Sequence, residues 1–134
     1  MKEVLKRLVL VLGLALTLGM NAQTVNGLKL EDVPAKYIEI VSTAKMFKWY
    51  QVTVLLDYGQ VSKSKELGKS SILGEDGKPF SFNGSMGVLN LMESKGYKYI
   101  SQNIITVGSQ NVYHYLLENT NYNTIRREKG IKIP

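Results

Sequence analysis

The sequence contains no cysteine and a single histidine, His114. The first absence excludes disulfide scaffolds, thiolate zinc and iron–sulfur sites, and cysteine nucleophiles. The second excludes any site built on two imidazoles. A membrane-length apolar run is also missing. Residues 8–18 (L-V-L-V-L-G-L-A-L-T-L) are almost wholly apolar, but such a run is about 11 residues where a crossing helix needs about 20. Acidic residues are outnumbered, 11 against 17 Lys and Arg, for a formal net charge of +6. The 134 residues, 44% of them hydrophobic and 21% charged, suit one domain and are too apolar for wholesale disorder.

The short apolar run stands where an export signal would. Residues 1–7 carry Lys2, Lys6 and Arg7 against Glu3, and the run is followed by G-M-N-A-Q. A basic start, an apolar stretch and a small-residue boundary predict a signal peptide over residues 1–22, cleaved after Ala22. No cysteine lies at that boundary, which excludes a bacterial lipid anchor there. Cleavage removes three basic groups and one acidic group and leaves +4 on residues 23–134. These are expected to form a single α+β domain, with a core over about 37–119 and a basic, partly mobile tail over 120–134. A chain of that size buries about 65% of its unfolded surface, so without disulfides the core alone must hold it together. The expected location is the periplasm or the extracellular space. ATP and NAD are scarce there, and no cofactor, metal or transmembrane segment is expected in the cleaved chain.

Within residues 23–134 the clearest pattern is Y-Q-V-T-V-L-L-D-Y (50–58). Val52, Val54, Leu56 and Tyr58 alternate with Gln51, Thr53, Leu55 and Asp57, as in a strand. Residues 37–43 (Y-I-E-I-V-S-T) read as a second strand, with Ile38 and Ile40 on one side. Residues 59–77 are polar and rich in Gly, Ser and Lys. They end in a turn at Asp76-Gly77, after which Phe80 and Phe82 alternate in a short extended piece. Residues 84–95 read as one helix, whose Ser85, Val88, Leu89, Leu91 and Met92 share an arc of about 160°. Asn83 or Ser85 is expected to cap its start, and Gly96 to end it. Strands at 97–107 and 112–119, joined by G-S-Q-N, form a hairpin. The predicted fold is a four-stranded antiparallel sheet in ββαββ order with a single helix on one face. Apolar side chains stand on both sides of these strands, as where Val112 and Leu116 alternate with Tyr113, Tyr115 and Leu117. Something should therefore cover the second face: residues 28–33, the 59–77 stretch, or a second copy.

Five segments carry a resemblance: Y-I-E-I-V, V-T-V-L-L-D-Y-G-Q, D-G-K-P-F-S-F-N, S-M-G-V-L-N-L-M-E-S-K-G-Y-K-Y and N-V-Y-H-Y-L-L. They resemble a family of small exported proteins of Bacteroides-type bacteria, of uncharacterised function. More distantly, they are similar to small bacterial domains in which a helix ending L-N-x-L-x-x-x-G-Y/W precedes the final strands. The likeness spans about residues 37–117 and implies fold and export. It implies no catalytic residue.

The chemical candidates are few. N-G-S-M-G around Ser85 imitates a nucleophile elbow, but Asn83 stands where the first glycine belongs and His114 would have to serve as base. His114 lies between tyrosines in a strand, without the spacing of a metal site. G-K-S at 68–70 imitates the end of a phosphate loop, but Lys63 occupies the place of its first glycine. Ser62 and Lys65 fit S-x-x-K in a polar loop, outside the domain that such acyl transfer needs. Asp57, Glu75, Asp76, Glu93 and Glu118 show no paired spacing on one element, and Glu75-Asp76 suits a turn. Eight tyrosines and a basic tail invite a nucleic-acid reading, but the tyrosines fall at strand positions and export places the chain away from such partners.

These readings predict a non-enzymatic, exported binding or structural module whose partner is an unknown protein, an envelope component or a second copy. Its contact surface is expected on the second sheet face, with Tyr37, Trp49, Tyr113 and Tyr115 as aromatic anchors. The alternative is a small hydrolase with a site assembled from Ser85, His114 or carboxylates.

Overall fold

Asn26 and Gly27 both take positive φ (50° and 78°), the left-handed pair that a tight two-residue turn requires. They fold Thr24–Val25 (β1) back on Leu28–Lys29 (β2) as a two-stranded ribbon. The computed structural model describes residues 1–7, 23–60 and 70–130. Most of the expected signal peptide, the G-K-S and S-x-x-K matches (but for Ser70) and the last four residues therefore lie outside the described residues.

A 3-10 turn, Leu30–Asp32, follows and drops Leu30 and Val33 into the interior. The main sheet is built from Tyr37–Lys45 (β3), Lys48–Asp57 (β4), Ser70–Ser71 (β5), Tyr97–Val107 (β6) and Gln110–Asn119 (β7). Its order is β5-β4-β3-β7-β6, antiparallel throughout. The β3–β4 and β6–β7 hairpins thus lie side by side, with β3 and β7 at the centre. Between them the chain runs through Ser85–Ser94 (α1), and it closes with Tyr122–Lys129 (α2).

The α+β class is as predicted, and the details differ. Among the described residues the sheet has five strands, a separate ribbon precedes it, and α1 is not alone. The stretch read as a partly mobile tail contains α2, which buries Ile125 and ends on left-handed Gly130. Neither Asn83 nor Ser85 caps α1; Gly84 holds that position, with no side-chain cap hydrogen bond among the described residues. Gly96 follows the helix with φ 92°, as predicted.

Parity along the strands decides what is buried. Register pairs Ile40 with both Leu56 and Tyr115, and Ile38 with Leu117. These side chains share one face with Val52 and Val54, and on it Val88 and Met92 of α1 close the core together with Val25, Leu30, Val33, Ile72 and Phe82. Each fully buried aliphatic contributes about 1.5–3 kcal/mol relative to exposure. The core therefore reaches beyond 37–119, from Val25 to Ile125. Two buried polar groups tie the lead-in to the sheet: the Tyr97 hydroxyl donates to the Leu30 carbonyl (2.7 Å) and Asn119 Nδ2 to that of Val33 (3.0 Å). Residues 28–33 and Ile72 thus join the helix-covered face, leaving the opposite one bare of them.

Candidate functional site

The two candidates for catalysis are separated by the sheet. Ser42, which pairs with Tyr113, points into the core, and its hydroxyl meets that of Ser85 at 3.0 Å. Ser85 therefore fixes the start of α1 against β3. His114 pairs with Val41, the next residue along β3, and so faces the other way. Period-two geometry puts Ser85 and His114 on opposite faces, and the structure does not bring them together.

On the open face, His114 Nδ1 is hydrogen-bonded to Glu39 Oε1. Around this pair Ser101, Asn103, Ile105 and Leu116 help to line a shallow, open hollow of about 450 Å3. No hydroxyl is hydrogen-bonded to His114 among the described residues, and none of their His, Asp and Glu side chains gather as a metal-binding group. Glu39 was missed in the sequence because it adjoins His114 only through strand register. The alternation of Ile38, Glu39 and Ile40 was its one available signal.

The other acids do local work or stand apart. Asp57 accepts from the Gly59 amide (2.9 Å) and Asp76 from that of Lys78 (3.0 Å), so the turn expected at 75–76 forms. Ser70, at the end of the phosphate-loop imitation, accepts from Asn26 Nδ2 at 2.9 Å and lies within hydrogen-bond distance of Gln60 Nε2 at 3.2 Å.

The four aromatic anchors split. Tyr115 is 2% exposed in the core, with Tyr113 stacked beside it at 6.3 Å and packed against the same cluster. Both stand on the helix-covered face because their parity matches that of Leu117. Tyr37 lies on the open face and Trp49 on the β3–β4 hairpin, exposed by 50% and 85% respectively. The exposed set that sequence reading overlooked is Met46, Phe47 and Tyr50 around the hairpin turn, with Ile100, Ile104, Ile105 and Val107 on β6.

Beside β6 the sheet simply stops. Among the described residues β6 is bonded to β7 alone, and every residue of it after Tyr97 is exposed. Among the described residues the fold and surface define an α+β chain with one sheet face covered, one open, and one long edge free. Comparison with protein-family models, with curated proteins and with solved structures returned no match. The family likeness therefore rests on the quoted residues alone.

Proposed function

We propose that the protein is an exported, non-catalytic contact module that self-associates through the β6 edge and the adjoining open sheet face. The observation that carries this reading is the free edge of β6. Along β6 the backbone donors and acceptors that do not pair with β7 meet no strand among the described residues, and the exposed Ile104 and Ile105 lie within it. Such an edge is a template for another strand, and an antiparallel copy of itself satisfies it. Export over a signal at residues 1–22 is part of the proposal and is supported by the basic–apolar–small pattern.

The test is the solution mass of residues 23–134 across a range of concentrations. A shift from monomer to dimer that Ile104→Lys abolishes is the expected result, since an edge charge opposes strand pairing. A monomer at every concentration rejects the self-association.

The hydrolase reading keeps one observation in its favour, the His114–Glu39 pair in an open hollow that Ser101 also lines. A base oriented by a carboxylate is half of a nucleophilic site; the hydroxyl bonded to the base is the other half. Ester hydrolysis by the wild type that His114→Asn removes would favour this reading over the contact module.

A further inference from the structure

Both hairpins turn at the same end of the sheet, because β3 and β7 are adjacent and antiparallel, and Gln110 Nε2 reaches the Ala44 carbonyl across that end (2.6 Å). The turn of the β3–β4 hairpin carries Met46 and Phe47, exposed by 83% and 96%, followed by Trp49 at 85%. Tyr50 and, on the neighbouring hairpin, Val107 are also more than half exposed. Phe47 holds a left-handed backbone (φ 63°), which disfavours a bulky side chain, and packs on nothing that would repay it. Trp49 meets Tyr50 edge-on at 6.2 Å, but Met46 and Phe47 at the tip bury almost nothing.

Its chemistry is that of a bilayer interface. Trp and Tyr favour the headgroup level, with an apolar ring and a polar handle, while Phe and Met suit the acyl boundary beneath. Lys45 and Lys48 pair with each other at the base of the turn, and residues 43–51 and 106–111 contain no acid. Lys48 is exposed, and Lys45 is half-buried with its Nζ donating to Ser81 Oγ (3.4 Å); on flexible stems both ammonium groups can reach an anionic surface beside the apolar tip, at about 1 kcal/mol each. A projecting two-residue turn also suits shallow insertion better than it suits a flat protein face. We infer that this end of the sheet docks on an anionic lipid bilayer, with Met46, Phe47 and Trp49 entering the interface and Lys45 and Lys48 meeting the headgroups. Met46, Phe47 and Trp49 belong to the β3–β4 hairpin and not to β6, so either proposal can fail alone.

Trp49 is the chain's only tryptophan, so its emission reports directly on this site. Among the described residues the strands, α1, α2 and the buried side chains lie between Thr24 and Lys129, so residues 23–134 serve for the experiment. With vesicles of phosphatidylcholine containing phosphatidylglycerol, Trp49 emission should shift to the blue, brominated lipid should quench it, and the protein should sediment with the vesicles. The double variant Met46→Ser, Phe47→Ser should weaken this binding about tenfold or more, with its far-ultraviolet circular dichroism unchanged because both residues are exposed. Lys45→Glu with Lys48→Glu should remove the preference over pure phosphatidylcholine. Unchanged emission and no co-sedimentation would overturn the inference. So would a blue shift that appears without lipid as protein concentration rises, which would assign the tip to a second copy. Sizing of the tip variants reads the β6 edge separately.

Discussion

Tyr97 is the side chain whose environment most changes its chemistry. Its hydroxyl is buried and donates to the Leu30 carbonyl at 2.7 Å. Burial pushes its pKa well above the usual tyrosine value of 10.0, and the Glu31 and Asp32 carboxylates push the same way. A raised folded-state value means that the unfolded chain releases this proton first. The Tyr97 contribution is therefore complete below about pH 10 and is lost as pH rises beyond it. Tyr97→Phe should cost about 1–2 kcal/mol at neutral pH, because the Leu30 carbonyl loses its donor inside the protein. Its stability should then fall less steeply than that of the wild type above pH 10, as read by urea unfolding across the alkaline range. Parallel slopes would mean that Tyr97 ionises in the folded protein as it does in water. Ser42 and Ser85 make a quieter pair: together they satisfy two hydroxyls where α1 meets β3, so the serine that looked like a nucleophile is a packing contact.

The elements divide by how local their cause is. At the end of α1, Gly96 has φ 92°, and a Cβ there would stand 2.3 Å from Asn121 Nδ2, itself bonded to the Lys95 carbonyl (3.1 Å). Gly96→Ala should thus combine backbone strain with displacement of the link to α2, costing about 2–3 kcal/mol, whereas Gly27→Ala, with φ 78° and open space around it, should cost about 1. Thermal unfolding of the two variants measures the difference, and equal losses would show that Asn121 moves aside freely. This helix end was legible, because Gly after an apolar arc is a local signal. The period-two runs of β3 and β4, the arc of α1 and the β6–β7 hairpin were legible for the same reason. The Asn26-Gly27 turn carried an equally strong signal in V-N-G-L and was passed over, and β5 is only two residues long. In α2 Tyr122 and Ile125 stand among Asn, Thr, Arg, Glu and Lys, too little to raise a helical period. Face assignment was the hardest part. Apolar side chains occur on both sides of β7, and only the pairing of Ile40 with Tyr115 shows which side the helix takes. The Glu39–His114 pair was hidden by the same cause, since 75 residues separate its members.

For the whole molecule, topology ties the free edge to the aromatic end. Pairing through β6 joins two five-stranded sheets about a two-fold axis, and in the antiparallel arrangement the two copies run in opposite directions. Their aromatic ends would then point away from each other, so if both proposals hold, a paired molecule would meet one bilayer with one end and offer the other end to a second bilayer. At concentrations where residues 23–134 are dimeric, they should cluster anionic vesicles, seen as a rise in light scattering. Ile104→Lys should still bind those vesicles, its added positive charge opposing nothing at an anionic surface, but without clustering them. Met46→Ser with Phe47→Ser should weaken binding about tenfold or more, and clustering with it, while leaving the dimer intact. Clustering by a monomeric Ile104→Lys protein would break the link between edge pairing and vesicle bridging, because one aromatic end per molecule cannot join two bilayers.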